Sequence, residues 1–283
     1  MMSMRSFLSL GMALWDLFQA ATAARTIDSI ANTLINRQDS PDAPDQNSTS
    51  RCGAVQTIGK GERLYNVTVY FQVPTLHLRR NNPTPQGTTI FLAIDSEGCN
   101  SSFKFGVNSV IYQDETQAGQ PQVHEFFYHW APAQPKTVLP DFPLHPGDYI
   151  NLQIFPYGDT LLLTITNDAY NRSQIFSLQE AGDLCLSDFA VMIQDPSLDP
   201  SEIPSVNSTV ALNPPVALAD FGAVSWMYVG GLTADDKDYG IYDAKMTYMK
   251  NEKTGLYRVV AFQRGDDEHG LIMAGQNYEP ADE

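Results

Sequence analysis

The chain has 283 residues, which suits one large all-β domain or two small ones. Its formal net charge of −16 argues against a nucleic-acid or anionic-membrane partner, because binding phosphate groups requires a basic surface. After the N-terminal segment, no apolar run is long enough to span a membrane.

The first element is a predicted signal peptide over residues 1–23. Arg5 supplies the positive start, Phe7 to Phe18 are mostly apolar, and Ala21-Thr22-Ala23 has the A-x-A form of a cleavage site. The alternative is a buried N-terminal helix. Five N-x-S/T sequons favour the signal peptide: Asn47, Asn66, Asn100, Asn171 and Asn207. We therefore expect a glycoprotein of the secretory pathway, secreted or lumenal.

The next segment, residues 24–51, is interpreted as a lead-in to the folded domain. Apolar residues at spacings of three and four predict a short helix over Arg25–Arg37, and Asp39–Ser50 has the polar, Pro-containing composition of a linker. The main domain is predicted at residues 52–265. Residues 266–283 are interpreted as an acidic tail.

From Cys52 onward, apolar residues alternate with polar ones, as in strands that bury one face. The clearest runs are residues 66–74, 90–95, 149–155 and 161–165. Turn signals such as Pro146-Gly147-Asp148 separate them. Many short strands divided by turns predict an all-β fold, a β-sandwich of two antiparallel sheets.

Two segments carry a family resemblance: IFLAIDSEGCNSSFKFGVN (Ile90–Asn108) and LCLSDFAVMIQDP (Leu184–Pro196). They resemble the frame of the fungal glutamic peptidases, or eqolisins. In that family a strand of the type W-V-G-I-D-G is followed by a Cys and then by a catalytic Gln two residues before a Gly. A second Cys precedes the catalytic Glu by nine residues. The resemblance implies a concanavalin-like sandwich with its site on the concave outer face of one sheet.

Both catalytic positions of this frame hold other residues here. Two positions before Gly106 stands Lys104 instead of Gln, and nine positions after Cys185 stands Gln194 instead of Glu. An amide cannot accept a proton as a general base. The resemblance therefore implies a peptidase scaffold that is not an active peptidase, with Lys104 as a fixed cationic donor. The alternative is a solvated strand lysine.

The same frame implies a disulfide between Cys99 and Cys185, which match the cysteines that flank the family's catalytic segments. Cys52 is then a free thiol. The alternative is three reduced thiols, but an oxidising compartment favours the bond.

Alternation places further side chains on the face that carries Lys104 and Gln194. They are Phe91, Ala93, Asp95, Glu125, Phe127, His129, Ala190 and Met192. Tyr70 is assigned to the outer face of a neighbouring strand. Together the aromatic and methionine groups suit an apolar ligand. The expected substrate-binding residues are Tyr70, Phe91, Phe127 and Met192.

The expected catalytic group is Lys104, assisted by Gln194 or His129. A zinc site at His124 and His129 is rejected, because residues five apart on a strand point to opposite faces. The motifs of serine hydrolases, P-loops and dinucleotide sites do not occur in the sequence. We therefore expect no metal and no cofactor.

The overall profile combines a signal peptide, several sequons, a β fold and an aromatic groove. It is similar to that of the fungal hetero-Diels–Alderases of tropolonic sesquiterpenoid pathways. The likeness implies a cofactor-independent pericyclase of secondary metabolism, which joins a tropolone-type ortho-quinone methide to a humulene-type terpene, with small apolar substrates as its partners. The alternative is a non-catalytic, peptidase-like secreted protein that binds peptide or glycan.

Overall fold

The structure is a computed structural model. It describes residues 46–48, 50–79, 85–95, 99–112, 122–132, 134–139, 142–157, 160–179, 184–196, 216–250, 257–263 and 269–277. The expected signal peptide, the helix over Arg25–Arg37 and the sequon at Asn207 lie outside these ranges. Within them, no helix is long and apolar enough to cross a membrane.

The described residues form strands joined by turns. In chain order the strands are β1 (Gln46–Ser48), β2 (Arg51–Thr57), β3 (Leu64–Gln72), β4 (Gln86–Ile94), β5 (Ser102–Ile111), β6 (Gln122–Ala131), β7 (Thr137–Leu139), β8 (Tyr149–Tyr157), β9 (Thr160–Asn167), β10 (Arg172–Gln179), β11 (Asp188–Gln194), β12 (Ala217–Leu218), β13 (Ala223–Thr233), β14 (Asp238–Tyr239), β15 (Lys245–Lys250), β16 (Tyr257–Gln263) and β17 (Leu271–Asn277). A 3₁₀ turn, Asp168–Tyr170, joins β9 to β10.

Two antiparallel sheets result from the strand pairing, as predicted. The first sheet runs β7–β6–β5–β4–β11–β2–β15, and the second runs β16–β17–β13–β3–β8–β9–β10. Pairing between β15 and β16 joins them. The short strands β1 and β12 add parallel pairings to β15 and β4.

The main core lies between the two sheets and contains the inward residues of each strand. In β3 the alternation is as predicted, since Val67, Val69 and Phe71 are fully buried. The Phe71 ring packs 4.8 Å from that of Trp226 on β13. Burying each such side chain contributes about 1.5–3 kcal/mol. Period-two alternation therefore supplies the apolar face that holds the sheets together.

The disulfide between Cys99 and Cys185 is confirmed, with the two Cα atoms 6.1 Å apart, and the buried Cys52 forms no disulfide. Such a bond is typical of an oxidising compartment. Next to it, the Asp95 carboxylate accepts hydrogen bonds from the backbone N–H groups of Leu186 and Ser187, both at 2.9 Å. These bonds tie the end of β4 to the segment before β11.

The position of Asp95 corrects one expectation. Alternation placed its side chain on the groove face, but its φ is 55° and its carboxylate is bonded to the backbone of Leu186 and Ser187. This left-handed conformation ends the extended strand at Ile94, so the alternation rule no longer applies to the next residue.

Two strands lie outside residues 52–265, the range predicted for the main domain. The strand β1 lies inside the expected lead-in and pairs with β15. The strand β17 lies inside the expected acidic tail and pairs with β13 and β16. The apolar run Leu271–Met273 explains the second case, because all three side chains are buried and their burial outweighs the acidic composition of the flanks.

Three sequons fall on residues whose side chains are described. Asn100 and Asn171 are exposed, and Asn171 follows the 3₁₀ turn with a φ of 47°. Asn66 is half-buried on β3. Glycosylation at these positions stays a prediction.

Candidate functional site

The outer face of the first sheet carries a second group of buried apolar side chains, separate from the main core. We call it the outer apolar cluster; it consists of Val55, Phe91, Ala93, Phe127, Ala190 and Met192. Strand register makes part of it a single row, since Met192 pairs with Phe91, Phe91 with Gly106, and Gly106 with Phe127. The row crosses β11, β4, β5 and β6.

Two glycines let neighbouring strands approach closely at this row. A Cβ atom at Gly106 would lie 2.1 Å from the Ile90 carbonyl oxygen, and one at Gly53 would lie 2.0 Å from the Val191 carbonyl oxygen and 2.7 Å from the sulfur of Met192. The large side chains of the row are buried: Phe127, Phe91 and Met192 are 0%, 2% and 7% exposed. The expected open aromatic surface is therefore buried in this conformation.

Lys104 lies beside the outer apolar cluster. It pairs with Ala93 on β4 and with His129 on β6, and its Nζ lies 5.1 Å from the centre of the Phe91 ring. An ammonium group over an aromatic face is stabilised by the ring quadrupole. The register thus brings together Lys104, His129 and Phe91 as expected, while their roles stay predictions.

Gln194 lies in a different part of the same face. Its cross-strand neighbours are Thr89 and Arg51. The residue of β11 that shares a cross-strand row with Lys104 is Ala190, because both pair with Ala93 of β4. Four residues along a strand amount to about 13 Å. The fully buried Gln194 is therefore not placed to act together with Lys104, and His129 is the better-placed of the two expected assistants.

Tyr70 is not part of this face, which corrects the grouping expected from sequence. It lies on β3 in the second sheet, where it pairs with Asn151 and Tyr228. Its hydroxyl donates to Asp168 at 2.6 Å; burial, followed by this acidic neighbour, raises the pKa of Tyr70 to about 12. Alternation shows on which face of its own strand a side chain lies, but not to which sheet the strand belongs.

A polar row runs beside the outer apolar cluster. Asn108 on β5 pairs with Thr89 on β4 and with Glu125 on β6. The Thr89 hydroxyl and the Lys136 ammonium both donate to Asn108 Oδ1 at 3.0 Å. Lys136 also lies 4.1 Å from the centre of the Phe127 ring. The row therefore combines a carboxyl group, a carboxamide and a cation at the edge of an apolar surface.

Sequence reasoning gave a role to Gln194, which pairs with Thr89 at the β11 end of this row, but none to Asn108. It placed Glu125 on the correct face, and the same alternation could have found Asn108, four residues after Lys104. Lys136 carries no such signal, because it precedes β7 in a segment without alternation. Only the fold brings its side chain to Asn108.

The polar row has a distinct electrostatic character. Burial raises the pKa of Glu125 above its ordinary value, and the positive charge of Lys136 opposes this in part. Burial and the charge of Glu125 raise the pKa of the Tyr112 phenol. Glu125 is therefore an acid whose charged form is disfavoured by its surroundings, a property often found at functional sites.

One group of potential metal ligands occurs in the described ranges, formed by Asp95, Cys99 and Cys185. The two sulfurs are joined in the disulfide and the carboxylate binds backbone N–H groups. These three residues are therefore engaged in holding the fold together and do not make a metal site.

Residues 49–267 match the Peptidase A4 family. The chain belongs to this family. Scytalido-glutamic peptidase, solved with a peptide-based transition-state analog, is 18% identical with a TM-score of 0.59, over 80% of this chain and 98% of its own. SCP-B, an eqolisin bound to the tripeptide Ala-Ile-His, is 18% identical with a TM-score of 0.57, over 82% and 99%.

Aspergilloglutamic peptidase from Aspergillus niger is 17% identical with a TM-score of 0.50, over 67% of this chain and 98% of its own. No curated protein matches the sequence. At these identities the likeness shows the fold. The expected eqolisin-like sandwich is therefore confirmed, and the activity of this chain rests on its own residues.

Proposed function

We propose that this member of the Peptidase A4 family is a cofactor-independent pericyclase. It would catalyse a hetero-Diels–Alder addition between a tropolone-type ortho-quinone methide and a humulene-type terpene. The observation that supports this best is the placement of two ammonium groups, those of Lys104 and Lys136, over the aromatic rings of Phe91 and Phe127. Cationic donors at an apolar surface suit two apolar reactants of which one bears a carbonyl oxygen.

The proposed reaction forms one carbon–carbon and one carbon–oxygen bond and transfers no proton. It therefore has no need of the carboxylate base that Gln194 replaces. Its main requirement is that the two partners be held face to face, and proximity alone lowers such barriers by several kcal/mol. A hydrogen bond from Lys104 to the quinone methide oxygen would make the heterodiene more electron-poor. His129, its cross-strand neighbour, would help to orient the donor.

Substrate entry would require a change in the outer apolar cluster. Phe91, Phe127 and Met192 are almost fully buried, so the reactants would have to replace their present contacts. Met192 suits such a change, because its unbranched side chain adapts to different neighbours. The cluster would then line the two apolar reactants.

The test is to generate the quinone methide in situ with the terpene and to compare rate and stereoisomer ratio with and without the purified mature protein. Lys104→Met keeps the aliphatic stem and removes the ammonium, so we expect a loss of rate of about tenfold or more. Phe127→Ala should reduce stereoselectivity. Lys60→Met, at an exposed turn position, is the matched control and should behave as wild type.

Two results would overturn the proposal: unchanged rate and isomer ratio with wild-type protein, or full activity of Lys104→Met. The alternative function, a non-catalytic family member that binds peptide or glycan, would then replace it. Titration of the same protein with peptides and oligosaccharides would test that alternative directly.

A further inference from the structure

Two buried polar atoms without a hydrogen-bond partner occur on the polar row of the first sheet, Nδ2 of Asn108 and Oε2 of Glu125. A third, the hydroxyl of Tyr112, lies just beyond the end of β5, where the charge of Glu125 still acts on it. Buried polar atoms in native proteins almost always have partners, since an unmade bond costs the full desolvation of the group. A small ligand or a water molecule at this place would complete the hydrogen bonding of both groups.

The hydrogen bonds of Asn108 decide which atom faces this place. Two donors, the Thr89 hydroxyl and the Lys136 ammonium, converge on its Oδ1 at 3.0 Å. An oxygen that accepts from both fixes the orientation of the amide, so the group left over is the Nδ2–H donor. Asn108 is only 2% exposed. Its donor is therefore both rigid and desolvated.

The acceptor lies directly across the strand pair. Glu125 is the cross-strand neighbour of Asn108, and such pairs have Cβ atoms about 5 Å apart. The charge of Glu125 also acts on the Tyr112 phenol. The side chains of Glu125, Tyr112 and Lys136 are partly exposed, so this end of the row is reachable from solvent. A buried donor and a buried acceptor thus lie side by side at an accessible edge.

We propose that Asn108 and Glu125 form a binding site for a planar ligand head that carries a hydrogen-bond acceptor and a donor on adjacent atoms. The Nδ2–H of Asn108 donates a hydrogen bond to the acceptor of the ligand. The donor of the ligand donates a hydrogen bond to Glu125 Oε2. Lactams, primary carboxamides and enolised α-hydroxycarbonyl groups share this arrangement. A trans peptide bond does not, because its C=O and N–H point in opposite directions.

The surroundings favour a flat, apolar body behind this polar head. Phe127 belongs to the adjacent row of the same face, and the Lys136 ammonium lies 4.1 Å from the centre of its ring. A conjugated ring next to these groups would keep both apolar and cation–π contacts. Ligand binding to this site is measured without turnover, so the test of the site is independent of the test of the proposed cycloaddition.

The experiment titrates the glycosylated mature protein with small probes and follows binding by ligand-observed NMR. The first probe is 2-pyridone, a lactam, and its control is N-methyl-2-pyridone, which lacks the donor. The second probe is tropolone, a hydroxycarbonyl, with 2-methoxytropone as its control. We expect at least one probe to bind about tenfold or more tightly than its methylated control. The probe that binds more tightly shows whether the site prefers a lactam or a hydroxycarbonyl group.

The decisive variant is Asn108→Asp. It keeps the oxygen that accepts from Thr89 and Lys136 but replaces the free donor by an acceptor, so binding should weaken about tenfold or more. Asn151→Asp is the matched control: the same change on a strand of the second sheet, across from Tyr70, should leave binding unchanged. Thermal unfolding of each variant establishes that the fold is intact.

The inference is wrong if neither probe binds, if the methylated controls bind as tightly as the probes, or if folded Asn108→Asp keeps wild-type affinity. Should Asn108→Asp fail to fold, Glu125→Leu replaces it. Glu125 is partly exposed, and removing its acceptor should cause a comparable loss. Cycloaddition without probe binding would overturn only the binding site, and probe binding without cycloaddition would overturn only the proposed function.

Discussion

Lowering the pH should destabilise the sandwich through one side chain, His124 of β6. Its Nδ1 is hydrogen-bonded to the Ser109 hydroxyl at 2.7 Å. Burial lowers the pKa of His124 from 6.5 to about 4; the nearby His145 adds to this effect, and Asp148 opposes it in part. The unfolded chain has no such burial, so it binds the proton more readily than the folded chain does.

The sign and size of the effect follow from this difference. The stabilisation by neutral His124 is fully present above pH 6.5 and is lost as the pH falls from there towards about 4. Each pKa unit corresponds to about 1.4 kcal/mol, so the loss amounts to roughly 3 kcal/mol. For a domain of this size, that lowers the unfolding temperature by roughly 6–12 °C.

Urea and thermal unfolding of wild type and His124→Asn, at neutral pH and at about pH 4, would measure this loss. The asparagine can keep a hydrogen bond to Ser109 but does not titrate, so the stability of the variant should depend less on pH. His77→Asn, at an exposed position, should keep the wild-type pH dependence. A His124 imidazole that titrates near 6.5 by NMR, or equal pH dependence in wild type and His124→Asn, would refute the reasoning.

Three further predictions concern stability and activity. Replacing Cys99 and Cys185 by serine should lower the free energy of unfolding by about 2–5 kcal/mol, because their bond closes a loop across 86 residues. An unchanged urea midpoint would contradict this. Asp95→Asn should lower the free energy of unfolding by about 1–3 kcal/mol in the same assay, because an amide replaces a carboxylate that accepts from two N–H groups. The control, Asp235→Asn at an exposed position, should leave it unchanged. The mature protein should not cleave a denatured protein from acidic to neutral pH, because Gln194 cannot act as a base; cleavage that Gln194→Ala abolishes would show otherwise.

Much of the fold could be predicted because the alternation of a strand is local. The inward residues Val67, Val69 and Phe71 were recognisable from period two alone, and they are buried. The disulfide followed from the family frame. The strand β17 was missed because a short apolar run is surrounded by acidic residues, and composition averaged over the segment hides it.

The candidate site was only partly predictable, for a related reason. Sequence placed Lys104, Phe91 and Phe127 on one face, and strand register confirms this. It did not reveal that the aromatic rings are buried. Burial depends on what packs against a face, and adjacent residues on the strand carry no signal of that.

The sequence by itself determined the face of the strand on which each side chain lies, since the pleat of the backbone needs only neighbouring residues. Tertiary structure decided which strands are neighbours and in what register. It placed Tyr70 in the second sheet, moved Gln194 along the sheet from Lys104, and brought Lys136 to Asn108. These relations depend on pairing between segments far apart in the chain, where the total burial of both sheets selects one arrangement.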